Sequence, residues 1–186
     1  MFPQKNFIKS TEKMSKIALI IGRFQPLHKG HINLIKRYSK ANYIIKFGIG
    51  SSDKSFEKDN PLTSEERNEI IRLAMKELKI KSYEIYHIHD IRDDNYYVKH
   101  VLNIIGKFNI ILTGNPKVLK LFRDHETKTP WNIESFEETT RPGGEISASQ
   151  IREIWSKRVS KKGLLKSTFN YLKSINFSER LNKIKN

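Results

Sequence analysis

Short apolar runs alternate along the chain with stretches in which apolar residues recur at helical spacing. The first run, Ile17–Ile21, has five apolar residues in succession and ends at Gly22, which is typical of a strand buried on both faces of a parallel sheet. Similar runs predict further strands at 43–49, 83–88, 108–112 and 131–136. Apolar residues at helical spacing predict helices between and after them, at 29–40, 63–78, 97–105, 116–122 and 147–155.

Two of the predicted helices also carry boundary signals. Thr63 and Glu66 have the spacing of a capping box, and Pro116 stands at a first helical position, where its missing N–H is not needed. Because strands and helices alternate, we predict a doubly wound, Rossmann-like α/β fold with a parallel sheet of about five strands and a C-terminal helical extension. Such sheets bind ligands at the carboxyl ends of their strands, so a site is expected in the loops that follow the strands.

The composition limits the classes of function. The 186 residues correspond to roughly one domain, and the absence of cysteine excludes disulfides, thiolate metal sites and cysteine nucleophiles. No run approaches the ~18 apolar residues of a membrane span. The residues before Met14 lack the continuous apolar stretch of a secretory signal. We therefore expect a cytoplasmic protein that does not bind membranes.

The net charge of +15 suggests an anionic partner, but most of it lies at the two ends of the chain. Residues 1–16 contribute +3 and residues 153–186 contribute +7, which leaves +5 for residues 17–152. Most basic residues are lysines, whereas bidentate recognition of phosphates and bases favours arginine. We expect a solvated basic surface and no specific binding of nucleic acid.

The loop after the first predicted strand reads GRFQPLHKGH, from Gly22 to His31. Gly22 allows a sharp turn, and the following helix is expected to present free backbone N–H groups and the positive end of its dipole to an anion. His28 and His31 are three residues apart, so both imidazoles can converge on one phosphate. A pair of surface histidines is the plainer alternative, and a metal site would need a third ligand that is not found nearby.

A second motif, ISASQIR, runs from Ile146 to Arg152. Ser147 is placed to cap a helix, Ser149 adds a hydroxyl, and Arg152 follows in the second turn, so that together they can clamp phosphate groups. Taken alone, the pattern is also that of an ordinary capped helix.

The two motifs together resemble the HxGH and ISxTxIR signatures of the nucleotidylyltransferase superfamily, with Ser149 where threonine is common. Within it, residues 16–156 are most similar to the archaeal-type nicotinamide mononucleotide adenylyltransferases. That similarity extends to Gly50-Ser51-Ser52 and to the stretch from Thr113 to Pro116. The resemblance implies a doubly wound α/β fold and transfer of the adenylyl group of ATP to nicotinamide mononucleotide, forming NAD and pyrophosphate. It also implies Mg²⁺ accompanying ATP, and a homo-oligomer.

The resemblance assigns expected roles to individual residues. A phosphate monoester is already anionic at neutral pH, so the reaction needs positioning and charge stabilisation rather than a general base or a covalent intermediate. The expected catalytic residues are His28, His31 and Arg152. The expected ATP-binding residues are Gly22, Arg23, Phe24, Gln25, Gly30, Gly114, Asn115, Ser147 and Ser149. The expected acceptor-binding residues are Asp90, Asn95 and Tyr97, with Tyr97 standing where the family usually has tryptophan. No metal-binding side chain is expected.

The chain is expected to consist of an N-terminal extension (1–15), a nucleotidylyltransferase domain (16–156) and Lys-rich C-terminal helices (157–186). An apolar stripe in the last segment predicts a helix that docks on the domain or on another subunit; it comprises Leu164, Leu165, Phe169, Leu172 and Ile175. Two alternatives stay open: adenylyl or cytidylyl transfer to another phosphate monoester, such as pantetheine phosphate or flavin mononucleotide, and a nucleotide-sensing module without turnover.

Overall fold

The computed structural model describes residues 16–125, 132–135 and 146–185, and the predicted N-terminal extension lies outside them. The elements follow one another as β1 (Ile17–Gly22), α1 (Lys29–Lys40), β2 (Ile44–Ile49), α2 (Ser64–Glu77), β3 (Tyr83–His87), a 3₁₀ turn (Asp94–Tyr96), α3 (Tyr97–Ile105), β4 (Ile110–Thr113), α4 (Pro116–His125), β5 (Asn132–Ser135), α5 (Ala148–Lys157), α6 (Lys166–Ser174) and α7 (Phe177–Lys185). Each predicted strand and helix is found within a few residues of its expected bounds. None of the helices in the described ranges is long and apolar enough to cross a bilayer.

The five strands form one parallel sheet in the order β3-β2-β1-β4-β5. β1 is central, with Ile20 facing Phe47 of β2 on one side and Leu112 of β4 on the other. The chain adds strands in one direction up to β3 and then in the other from β4, so the order reverses beside β1. This confirms the doubly wound fold and places the expected ligand crevice at the carboxyl ends of β1 and β4.

Helix starts are fixed by side chains that the sequence supplies at the expected positions. Thr63 accepts the backbone N–H of Glu66, and the Glu66 carboxylate accepts that of Thr63, at 3.1 and 2.9 Å. Ser147 and Gln150 form the same reciprocal pair at the start of α5. Each box satisfies two backbone N–H groups, which sets where the helix begins.

The hydrophobic core lies on both faces of the sheet because β1 is buried on both. Ala18 and Ile20 belong to a cluster with α1, α2 and the C-terminal helices, whereas Leu19 and Ile21 belong to a second cluster under α3 and α4. This explains why β1 is a continuous apolar run rather than an alternating one.

The C-terminal segment packs on the same domain. Leu164 and Leu172 are buried in the first cluster, and the remaining stripe residues pack against it. Trp155 of α5 contacts the rings of Phe169 in α6 and Phe177 in α7, at centroid distances of 5.7 and 5.8 Å. The apolar stripe therefore covers part of the domain's own core.

Arg180 of α7 adds a polar link between the C-terminal segment and α2. Its guanidinium donates two hydrogen bonds to the Glu66 carboxylate and a third to the Pro61 carbonyl, and it lies 4.9 Å from the centre of the Phe56 ring. Both ion-pair partners are largely shielded, with side-chain exposures of 18% and 15%. Glu66 therefore serves both the cap of α2 and the docking of α7.

This link generates a prediction about stability. Arg180→Ala should lower the free energy of unfolding by about 1.5–3 kcal/mol, because it leaves a shielded carboxylate short of its charged partner. Urea unfolding curves measure this change. Lys183→Ala on the same helix is the control: its ion pair with Glu179 is exposed, so the midpoint should stay nearly unchanged. Equal effects of the two variants would contradict a specific role of Arg180.

Candidate active site

A cavity of about 850 Å³ opens at the carboxyl ends of the central strands, where the order of the sheet reverses. Its walls come from the loops after β1, β2, β3 and β4 and from the first turns of α1 and α5. All but one of the predicted site residues line it: Gly22, Arg23, Phe24, Gln25, His28, Gly30, His31, Asp90, Tyr97, Gly114, Asn115, Ser147, Ser149 and Arg152. The fold thus brings the two sequence motifs, which are more than a hundred residues apart, to one place.

Asn95 is the exception. It lies in the 3₁₀ turn, is exposed, and donates its backbone N–H to the carboxylate of Asp93. Its neighbour Asp94 lines the cavity instead and pairs with Lys117 at 2.8 Å. The fold therefore brings Asp94 rather than Asn95 to the cavity, because the tight turn directs successive side chains to different sides.

The two histidines of the first motif form one unit. His28 is the N-cap of α1, and its Nδ1 accepts the N–H of Gly30 at 3.2 Å, while Nδ1 of His31 accepts the N–H of His28 at 3.4 Å. A neutral imidazole with an accepting Nδ1 carries its proton on Nε2. The ring centres lie 4.0 Å apart, and His31 Nε2 lies beside Gly22. Both rings line the cavity, where they can contact the same ligand.

The predicted free backbone N–H groups at the start of α1 are not found. The Lys29 N–H donates to the Gly163 carbonyl at 2.9 Å, Gly30 and His31 donate to the His28 side chain, and Ile32 donates to the His28 carbonyl. At this helix an anion would meet imidazole edges rather than backbone. The reason is that His28 acts as the cap and uses the N–H groups that a ligand would otherwise take.

The side chains of Phe24 and Gln25 are buried at the cavity wall and pack against other parts of the protein. Phe24 is buried with a φ of 50°, and its ring lies 5.0 Å from that of His31. The Gln25 side chain is buried and exchanges two hydrogen bonds with the backbone of Leu62. The Gln25 side chain therefore links the loop after β1 to the residues before α2, while its carbonyl accepts from Arg152 at 2.9 Å.

The second motif presents a guanidinium and unused backbone donors. Arg152 is held by the Gln25 carbonyl and lies 3.4 Å from both Ser149 Oγ and Asp59 Oδ1. Burial lowers the pKa of Arg152, whereas Asp59 raises it. Ser147 takes the N–H of Gln150, which leaves the N–H groups of Ala148 and Ser149 without a partner in the described part of the chain. The first turn of α5, unlike that of α1, can thus accept an anion directly.

Asp90 ties together the loops that follow β2 and β3. Its carboxylate accepts from Ser51 Oγ at 3.0 Å and pairs with Lys54 at 2.8 Å, while its own N–H donates to Asp53. That last hydrogen bond is the main reason that the pKa of Asp53 is lowered. Tyr97 lies next to this cluster and packs edge-to-face on Phe122 at 6.4 Å. Burial, followed by the Asp90 charge, raises the pKa of Tyr97 to about 12.

Asn115 and His100 have local structural roles. Asn115 Oδ1 accepts the N–H of Lys117 at the start of α4, which leaves the amide nitrogen for other contacts. His100 Nε2 lies 3.3 Å from the His89 carbonyl and does not line the cavity.

A residue without a predicted role, Arg67, holds the site loops together. Arg67 is fully buried in the first turns of α2 and donates to the carbonyls of Thr63, Arg23, Gly50 and Ser51. Burial lowers its pKa to about 10, which leaves it cationic at neutral pH. The available signal was position: Arg67 precedes the buried Ile70, Ile71 and Ala74 on one face of α2, where a charge is not expected unless it has partners.

The charged residues of the lining favour an anionic ligand. Five are cationic and two are acidic: Arg23, Lys54, Arg92, Lys117 and Arg152 against Asp90 and Asp94. No group of three His, Cys, Asp or Glu side chains suited to a metal ion is found among the described residues. A cavity of this size with excess positive charge and hydroxyl, amide and imidazole donors suits a nucleotide polyphosphate.

Comparisons with known proteins agree with this chemistry. The cytidylyltransferase-like family profile matches residues 19–154. The nicotinamide-nucleotide adenylyltransferase of Pyrococcus abyssi is 34% identical over 170 residues, covering 90% of this chain and 88% of that protein. The protein of the same name from Thermoplasma acidophilum is 38% identical over 114 residues, covering 61% of this chain and 64% of its own length.

Solved structures show the same fold. The bifunctional NMN adenylyltransferase/ADP ribose pyrophosphatase of Francisella tularensis superposes with a TM-score of 0.73 at 20% identity, over 92% of this chain. This chain spans about half of that protein, 52%. A second structure of the Francisella protein holds AMP and a manganese ion and superposes with a TM-score of 0.70.

The burial of His31 generates a prediction about pH. Burial, with a smaller contribution from His28, holds the pKa of His31 well below 6.5. Below pH 6.5 the unfolded chain therefore takes up a proton that the folded chain refuses, and the free energy of unfolding falls as the pH is lowered towards the folded pKa. The loss from one such group is at most about 1.4 kcal/mol per pH unit.

Urea unfolding from pH 8 to pH 5 tests this prediction. His31→Gln should remove the extra loss of stability below pH 6.5, while above pH 7.5 wild type and variant should change in parallel, since the imidazole is neutral in both states. Identical slopes of the two proteins below pH 6.5 would show that His31 titrates normally.

Proposed function

The chain belongs to the cytidylyltransferase-like family and, within it, to the archaeal-type nicotinamide-nucleotide adenylyltransferases, and on this basis we propose that it transfers the adenylyl group of ATP to nicotinamide mononucleotide. The products are NAD and pyrophosphate. The observation that carries the proposal is the convergence of His28 and His31 of the first motif and Arg152 of the second on one cation-rich cavity.

The acceptor itself supplies the nucleophile. A phosphate monoester has its second pKa near ~6, so its oxygen is anionic at neutral pH and attacks the α-phosphorus of ATP without a general base. The bond from that phosphorus to the α,β-bridging oxygen breaks, and pyrophosphate leaves with the electron pair. The protein has to bring two anions into line and stabilise the charge that develops.

His28 and His31 suit the α-phosphate and the phosphate beside it. With Nδ1 committed to the backbone, each donates from Nε2, and the lowered pKa of His31 keeps it a neutral donor. Gly22 keeps the space above the end of β1 open beside His31 Nε2. Such donors act where charge builds up, which is the largest single contribution in many enzymes.

The second motif suits the β- and γ-phosphates, which become the leaving group. Arg152 offers a fixed guanidinium, Ser147 and Ser149 offer hydroxyls, and the open N–H groups of α5 add dipolar attraction. Arg23 extends this positive wall, with Phe24, Gln25 and Gly30 as its framework. Gly114 and Asn115 follow β4 and leave room for the adenosine part of ATP.

The part of the lining that follows β3 suits the acceptor. Tyr97 offers a ring for the pyridine, and Asp90, held by Lys54 and Ser51, offers a carboxylate to amide or hydroxyl donors. We leave Asn95 out of this set, because it does not line the cavity.

We further propose the metal ion, the oligomeric state and the location with which the reaction takes place. Mg²⁺ enters with ATP as the metal–nucleotide substrate, since Mg²⁺ retains waters and binds mainly to substrate phosphates. We also propose a homo-oligomer, for which the edge strand β3 is a candidate surface, a cytoplasmic location, and no specific binding of nucleic acid or membrane.

An assay of pyrophosphate release tests the reaction. Purified protein with MgATP should release pyrophosphate with nicotinamide mononucleotide, and not with pantetheine phosphate or flavin mononucleotide. His31→Ala should lower kcat by roughly 10²–10³-fold, the scale of removing one donor to a developing anion. Nucleotide binding without turnover would favour a sensing module, and turnover with another monoester would overturn the acceptor.

Substitution of Arg152 should affect the binding of ATP more than the binding of AMP. Arg152→Ala should weaken binding of ATP far more than binding of AMP, and Arg152→Lys should not restore it, because the fork held by Gln25 and Ser149 is lost. Calorimetric titration with each nucleotide measures the difference. Equal weakening of ATP and AMP would remove Arg152 from the β- and γ-phosphates.

Tyr97 should affect the acceptor alone. Tyr97→Ala should raise the KM for nicotinamide mononucleotide about tenfold, since an aromatic contact is worth ~0.5–1.5 kcal/mol and 1.4 kcal/mol corresponds to a factor of ten. Tyr97→Phe and Tyr97→Trp are the controls and should keep the KM. If Tyr97→Ala leaves the KM for the acceptor unchanged, the Tyr97 ring does not contact the acceptor and only packs against Phe122.

A further inference from the structure

Gly163 connects the two motifs although it lies outside both. It is in the loop between α5 and α6, nine residues beyond the region matched by the family profile. Its carbonyl accepts the Lys29 N–H at 2.9 Å. A Cβ at this position would lie 2.6 and 2.9 Å from Cγ1 and Cδ1 of Ile146, the first residue of the second motif. Gly163 thus contacts the first motif with its oxygen and the second with its α-carbon.

The hydrogen bond fixes the helix that carries the imidazoles. Lys29 is the first residue of α1 and lies between His28 and His31. Its N–H has no acceptor within the helix, so the Gly163 carbonyl completes the set of partners at this end. A displacement of the Gly163 carbonyl would therefore move the start of α1 directly.

The close packing fixes the other motif. Ile146 lines the cavity directly before Ser147, and Gly163 also lies against Ile151 on the next turn of α5. With a φ of +76° and no room for a side chain, the position combines two demands that only glycine meets.

We propose that Gly163 is a positioning residue that sets the spacing between the imidazole pair and the Ser147–Arg152 clamp. The inference rests on the proposed adenylyl transfer, in which the α-phosphate and the leaving pyrophosphate must be held at once. A displacement near 1 Å between such groups can cost ~10²-fold in rate even when the altered residue touches no substrate.

Gly163→Ala and Gly106→Ala form a matched pair of variants. Gly106 has a φ of +72°, so an alanine is strained at both positions, but nothing lies within 4 Å of the Cβ that it would gain. An alanine therefore has a positive φ at both positions, and the clash with Ile146 is present only at Gly163. We expect kcat to fall roughly 10–100-fold in Gly163→Ala and to stay within about twofold of wild type in Gly106→Ala.

Lys29→Pro tests the hydrogen bond independently of the clash. Proline is favoured at the first helical position, and the extended conformation of His28 before it is compatible with a following proline. The substitution removes the donor and places a ring carbon where the N–H pointed, so the contact between Gly163 and α1 has to open, while the first turn of α1 suits proline. We expect kcat to fall about tenfold, with the KM for the acceptor changed less, whereas Lys29→Ala keeps the N–H and should behave like wild type.

Melting temperatures are measured first, and all rates are compared well below the lowest of them. If Gly163→Ala fails to fold, Ile146→Ala/Gly163→Ala removes the clashing atoms and is compared with Ile146→Ala alone. If Gly163 acts by positioning, Ile146→Ala/Gly163→Ala should have nearly the same kcat as Ile146→Ala. Lys29→Pro should still lower kcat.

The outcomes separate this inference from the proposed function. If wild type releases no pyrophosphate with any acceptor, the proposed function fails, and the inference fails with it. If wild type is active and both Gly163→Ala and Lys29→Pro keep kcat within twofold of their controls, the function stands and the positioning role is overturned. A uniform loss of stability with unchanged kcat would reduce Gly163 to a folding role.

Discussion

A guanidinium buried away from water holds together the loops from which the cavity is built. Arg67 donates to backbone carbonyls after β1 and β2 and to the N-cap of its own helix. Burying a charge is costly unless its hydrogen bonds are satisfied, so these carbonyls and the guanidinium depend on one another. Their mutual requirement fixes the path of the loops around Gly22 and Gly50, and with it the positions of Arg23 and Lys54 at the cavity wall.

The first turns of α1 and α5 both line the cavity, but they present different hydrogen-bond donors. At α1 the N-cap is a histidine, so the backbone N–H groups are used internally and the two imidazole rings line the cavity. At α5 the cap is a serine, which takes only the third N–H and leaves two open beside Arg152. In the proposed reaction the imidazole pair would contact the transferred phosphate and the cationic clamp would contact the leaving group, where negative charge has to be stabilised.

The C-terminal segment belongs to the same structural unit as the site. Its apolar stripe covers the core, Arg180 braces the cap of α2 through Glu66, and Gly163 joins the start of α1 to Ile146. Residues beyond the family-matched region therefore support the loops and helices that the matched region contributes. The basic character of this segment is compatible with such packing, because lysines occupy the solvent side of helices whose other side is buried.

Local patterns in the sequence determined the strands, the helices and the two motifs that line the cavity. Apolar runs and helical spacing act over a few residues, as do the capping boxes at Thr63 and Ser147, so the α/β alternation and both motifs could be predicted without knowledge of the fold. Only the tertiary structure decided which polar groups are used and which remain open. Lys29 N–H is taken by Gly163, and Lys46, inside an apolar strand, donates to the carbonyls of Ile105 and Lys107 at the end of α3. The 3₁₀ turn also decides that Asp94 lines the cavity and Asn95 does not. The pairings of Lys29 and Lys46 depend on partners distant in sequence, and composition and periodicity carry no information about such pairings.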